Sequence, residues 1–82
     1  MQITVKFFAS YRELLGEDEI IFEFEGEDVT VGEALALLKE RFPVLADQGY
    51  SPLTACNLVH VSKRHVLQDG DELAIFPPVS GG

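Results

Sequence analysis

Only one stretch of this 82-residue sequence carries the full signature of a long helix. Thr30 can cap it and Glu33 stands three residues on, while Val31, Ala34, Leu35, Leu38 and Phe42 recur along a single stripe up to Pro43. Lys39 and Arg41 lie near its C-terminal end, where they complement the helix dipole. An apolar stripe must be covered, and the remaining chain offers mainly strands. A sheet wrapped over this one helix is the economical packing. Glu33 and Glu40 are sufficiently explained by helix-end and solvation roles, so neither is taken as a catalytic acid.

The strands follow from alternation. Gln2 to Ala9 places Ile3, Val5, Phe7 and Ala9 on one face and Gln2, Thr4, Lys6 and Phe8 on the other. Ser10 is the expected cap of a short helix, with Glu13 as the reciprocal acid, Tyr11, Leu14 and Leu15 at helical spacing and Gly16 as its end. Glu19 to Phe24 forms a second strand with Ile20, Phe22 and Phe24 inward and Ile21 beside Glu19 and Glu23. The connection between these strands is too short for a parallel crossover, so they pair antiparallel. Beyond the main helix, Val44 to Pro52 reads as loop with a helical turn. Thr54 to Val59 reads as one strand, extendable to Val61. His65-Val66-Leu67 is a short extended piece, and Gln68-Asp69-Gly70-Asp71 a tight turn in which Gly70 supplies positive φ. The last strand, Asp71 to Phe76, sets Leu73 and Ile75 against Glu72, Ala74 and Phe76.

These elements predict an α+β domain of the β-grasp type, a mixed sheet packed on one main helix with a short additional helix, in which the first and last strands are parallel central neighbours. The domain spans residues 1–76, and residues 77–82 form an extended tail. Pro77 and Pro78 lack ladder donors and hold the chain extended, and Gly81 and Gly82 add no side chain. Six extended residues reach at most about 20 Å, suiting a terminal carboxylate to a narrow slot on another protein. Glycines are also ordinary at chain ends. The abrupt change from apolar strand to stiff, narrow tail, with no polar linker between them, favours the purposeful alternative.

Charge and chemistry narrow the function. Fourteen acidic against six basic residues leave a net charge of −8, which lacks the cation cluster that nucleic acid requires and favours encounter with a basic protein surface. No apolar run is long enough to cross a bilayer and no signal-peptide pattern opens the chain, so a reducing, cytoplasmic location is expected. Cys56, the single cysteine, lies in an apolar run and reads as a buried structural thiol. His60 and His65 have no cysteine or carboxylate at ligand spacing, so no metal site is expected. Neither the serines nor Asp69-Gly70-Asp71 form a recognisable catalytic or calcium-binding pattern in sequence.

If the helix covers one sheet face, the other carries Phe8, Ala74 and Phe76, joined by Leu58 and His60 from the middle strand. Scattered exposed apolar groups need no explanation, but a contiguous set rimmed by charge at the root of the tail fits a protein contact.

The chain resembles the molybdopterin synthase small-subunit family, sulfur carriers of the ubiquitin-like β-grasp superfamily. The resemblance rests on Val5-Lys6-Phe7-Phe8-Ala9, Arg12-Glu13-Leu14, Gly16, Thr30-Val31, Asn57, and above all the block from Leu67 to Gly82 that ends Pro77-Pro78-Val79-Ser80-Gly81-Gly82. It implies that an E1-like adenylyltransferase uses ATP and magnesium to adenylate the Gly82 carboxylate. A sulfurtransferase then leaves a thiocarboxylate. The tail, presented by Pro77, Pro78, Val79, Ser80 and Gly81, enters the large synthase subunit and donates sulfur to cyclic pyranopterin monophosphate, usually in a heterotetramer. Phe8 and Phe76 match positions that contact that subunit, whereas His60 stands where relatives often carry an apolar residue. The chain itself is expected to bind no cofactor. A thiamine-type sulfur carrier and a ubiquitin-like modifier are the neighbouring alternatives.

Overall fold

The computed structural model describes residues 1–48 and 51–78. In chain order the elements are β1 (Gln2–Phe7), α1 (Ser10–Leu15), β2 (Glu19–Glu23), α2 (Val31–Arg41), a 3-10 helix (Pro43–Gln48), β3 (Leu53–Cys56), β4 (Val59–His60) and β5 (Glu72–Phe76). The sheet order is β2-β1-β5-β3-β4. β1 and β5 run parallel at its centre, Thr4 opposite Glu72 and Phe7 opposite Ile75, and the other pairings are antiparallel. This is the expected β-grasp arrangement.

The alternation in sequence becomes a two-sided sheet. Ile3, Val5, Phe7, Phe22, Leu73 and Ile75 are buried with Val31, Ala34, Leu35 and Leu38 of α2 in one core. Each Val, Leu, Ile or Phe among them contributes about 1.5–3 kcal/mol when removed from water, so this stripe is what holds helix to sheet. The Thr30 hydroxyl accepts from the Glu33 N–H at 3.2 Å and donates to the Glu33 carboxylate at 3.1 Å, which starts α2 where the sequence predicts. The segment between β4 and β5 crosses this helix start: Val31 N–H donates to His65 O and Gly32 N–H to Lys63 O, both at 2.9 Å. A Cβ at residue 32 would lie 3.3 Å from the Lys63 carbonyl oxygen, so glycine permits the close approach.

Three local expectations are corrected. Ala9 does not extend β1 inward: it turns the chain with φ 52°, ψ −130° and is exposed. Ser10 does not cap α1, because it is already the first helical residue, with Ala9 at the cap position and no side-chain cap bond. The single strand expected over Thr54–Val59 is two strands. Asn57 and Leu58 both take positive φ, 49° and 72°, and make a two-residue hairpin turn of the type I′ kind. Asparagine tolerates that backbone, and its side chain is tied across to β5.

Candidate functional site

On the face turned away from α2, the pleat and register gather residues distant in sequence. Leu53 stands opposite Phe76, Ala55 opposite both Ala74 and His60, and Lys6 opposite Ala74. Parallel pairing continues one residue past β1: the Phe8 N–H donates to Ile75 O at 3.2 Å. The Phe8 and Phe76 rings then stack with centroids 4.8 Å apart and planes 18° from parallel. The His60 ring lies 6.3 Å from that of Phe76. Phe8 remains 38% exposed and Leu53 43%. The result is a contiguous apolar platform, with Ala55 and Ala74 as its close-packed floor, and β5 runs from it directly into Pro77 and Pro78. Lys6 and Glu72, 3.6 Å apart and both partly exposed, supply a polar border.

The predicted contact residues thus divide. Phe8, His60 and Phe76 come together. Ala74 is on this face but only 8% exposed, so it offers little area of its own. Leu58 is 91% exposed but sits in the β3–β4 turn. Because β3 is antiparallel to β5, that turn lies beside the start of β5, about 13 Å along the strand from Phe76. His60 is on the edge strand β4 rather than a middle strand. Leu53 lies just before the strand that the sequence predicts from Thr54, whereas β3 starts at Leu53; its two-residue spacing from Ala55 is the signal that places it on this face. Val79, Ser80, Gly81 and Gly82 lie outside the described residues.

At the other end of β5, Asp71 organises the turns. Its carboxylate accepts from Asn57 Nδ2 at 2.9 Å, from the Gln68 N–H at 2.8 Å and from the Cys56 thiol at 3.4 Å. Asn57 Oδ1 accepts in turn from the Glu72 N–H at 3.0 Å. Burial opposes ionisation of Asp71, yet these donors and the positive charge of His65 hold its pKa below the ordinary carboxylate value. Burial first, then the bond to Asp71 and its negative charge, push the Cys56 thiol up to about 11. Such a thiol is protonated at neutral pH and is no nucleophile. Among the described residues, no buried side-chain nitrogen or oxygen lacks a partner. The arrangement therefore presents a surface and a strand end.

Comparison with known proteins agrees with this geometry. The ThiS family model matches residues 5–82. The molybdopterin synthase sulfur carrier subunit of Escherichia coli (strain K12) is 40% identical over 82 residues, covering 98% of this chain and 99% of that protein. The crystal structure of SAMP1 from Haloferax volcanii, a small archaeal modifier protein, superposes with a TM-score of 0.85 at 31% identity and full coverage of both chains. A chain of the complex of subunits 1 and 2 of the molybdopterin-converting factor from Helicobacter pylori 26695 superposes with a TM-score of 0.69 at 25% identity, again covering both chains entirely.

Proposed function

The chain belongs to the ThiS family, and from that membership we propose that it is the sulfur-carrying, non-catalytic subunit of a molybdopterin synthase. The observation that carries this assignment is the aromatic platform of Phe8 and Phe76 at the root of the Pro77-Pro78 segment. A carrier needs a docking face and a thin reactive end, and here β5 joins the two covalently. Relatives named as sulfur carrier subunits, and a related chain in a two-subunit converting-factor complex, support the pathway and a large-subunit partner.

In this mechanism Gly82 is a covalent substrate. Its carboxylate attacks the α-phosphorus of ATP on an E1-like enzyme and releases pyrophosphate. Sulfur delivered at the sulfide level displaces AMP, leaving a thiocarboxylate. ATP and magnesium belong to the activating enzyme. Docking through Phe8, Phe76, Leu53 and His60 then brings the tail into the large subunit, where the thiocarboxylate sulfur bonds to cyclic pyranopterin monophosphate and water cleaves the acyl–sulfur bond, returning the Gly82 carboxylate. Glycines at residues 81 and 82 leave the attacked carbonyl unobstructed, and the two prolines limit the conformations lost on insertion.

Intact-mass measurement after incubation with an activating enzyme, magnesium-ATP and a sulfur donor tests the assignment. A sulfur-for-oxygen exchange confined to the C-terminal residue is expected, and it should vanish in a chain lacking Gly82. An unchanged mass with a competent activating enzyme would refute it. The likeness to SAMP1 supports a second reading, a modifier that forms isopeptide bonds. Covalent protein conjugates without any sulfur exchange would favour that alternative.

A further inference from the structure

Folding brings together three side chains that are well separated in sequence: Cys56 at the end of β3, His65 in the segment that crosses the start of α2, and Asp71 just before β5. One ligand atom from each lies within 4.8 Å of the other two. They line a surface recess of about 330 Å³ that also includes Asn57, Val59 and Gln68. We propose that Cys56, His65 and Asp71 form a binding site for a single zinc ion, with water in the fourth position.

The donor set selects the metal. A thiolate sulfur, an imidazole nitrogen and one carboxylate oxygen suit a borderline-soft dication in tetrahedral geometry, whereas calcium and magnesium take all-oxygen shells. Two of the three ligands already stand at the required separation. Zinc–sulfur and zinc–oxygen bonds of about 2.3 and 2.1 Å at a tetrahedral angle place sulfur and oxygen about 3.6 Å apart. Cys56 Sγ and Asp71 Oδ2 are 3.4 Å apart. The thiol proton now lies between them, and the ion takes its place: the Cys56 S–H bond breaks, the proton leaves to solvent, and sulfur and oxygen both bind the metal. The exposed His65 ring has only to swing inward, because its backbone is held by the bonds from Val31 N–H to His65 O and from His65 N–H to Ser62 O.

The supporting contacts are those a metal site uses. Asn57 Nδ2 on Oδ1 and the Gln68 N–H on Oδ2 fix the carboxylate from behind, as partners of ligating carboxylates do. Cys56 is set by the β3–β5 ladder. A bound ion would tie the β3–β4 hairpin, the segment crossing α2 and the turn before β5 into one unit, at the end of β5 remote from Phe76 and Pro77.

Titration of the full, unloaded chain with cobalt(II), a spectroscopic substitute for zinc, tests the site. The expected result is one equivalent bound, with visible ligand-field bands of a tetrahedral centre and a near-ultraviolet thiolate-to-cobalt charge-transfer band. Addition of zinc should bleach both and raise the thermal midpoint. Cys56→Ala should abolish the charge-transfer band, and His65→Ala, at an exposed ring, should weaken binding at least tenfold with the fold retained. A weak octahedral spectrum without charge transfer, or undiminished affinity in His65→Ala, would overturn the proposal. So would zinc binding that survives Cys56→Ala, since it would place the ion on the acidic surface.

Discussion

Phe8, one residue past the end of β1, stacks on Phe76, the last residue of β5, at 4.8 Å between ring centroids. Parallel pairing of these two strands puts the rings side by side, so Pro77 follows a point braced on both central strands. Offset aromatic pairs contribute about 0.5–1.5 kcal/mol beyond their buried area. A double-mutant cycle of Phe8→Ala and Phe76→Ala, followed by denaturant unfolding, should return a coupling in that range.

The same two substitutions should act more strongly on association. Central aromatic anchors of an interface lose about 2 kcal/mol or more on truncation, roughly a thirtyfold weakening. Calorimetric titration against the large subunit should show that loss for Phe76→Ala, with Leu58→Ala close to the unsubstituted chain because the β3–β4 turn is remote from the platform. Equal losses at both positions would disprove the separation.

Leu58 and Ala9 carry side chains where glycine is favoured. Leu58 has φ 72° and Ala9 has φ 52° with ψ −130°. Strain of this kind costs on the order of 1 kcal/mol at each position. Ala9→Gly and Leu58→Gly should therefore each raise the unfolding free energy by up to about 1 kcal/mol, seen as a higher urea midpoint at an unchanged denaturant slope.

Stability should fall at both ends of the pH scale for identifiable reasons. Cys56 is raised from 9.0 to about 11 in the folded chain, so its contribution is complete below pH 9 and is lost as pH rises toward 11. Asp71 is lowered, so its contribution is complete above the ordinary carboxylate range and is lost as pH falls through the depressed value. Unfolding free energies measured against pH should show a flatter alkaline limb in Cys56→Ala and a flatter acid limb in Asp71→Asn.

Leu38 is fully buried on the stripe of α2. Leu38→Ala should cost about 2–5 kcal/mol through lost burial and the cavity left behind. In a domain whose total stability is of the order of 5–15 kcal/mol, that loss should be visible as a large fall in the thermal midpoint.

Much of this architecture was legible in the chain because it depends on short periods. The stripe from Val31 to Leu38, the alternation of Ile3, Val5 and Phe7, and the cap at Thr30 are patterns within a few turns or pleats. The failures were local too. Ser10 resembled a cap because Glu13 follows at the right distance, but the chain reverses at Ala9, leaving Ser10 inside the helix. Asn57 interrupted an apolar run without glycine after it, and Leu58 concealed a turn that normally advertises itself with Asn-Gly.

By itself the sequence determined the single helix stripe and the sheet that must cover it, since each follows from residue chemistry at fixed short spacing. The parallel closure of β1 on β5, and with it the meeting of Phe8 and Phe76, was also legible in the chain. Tertiary structure alone decided the antiparallel return of β3, which adds Leu53 to that platform. The same return separates Leu58 from the platform and carries Cys56 to Asp71, with the segment crossing α2 bringing His65 beside them. Register between strands distant in sequence is set by which faces the core buries, and no local turn fixes it.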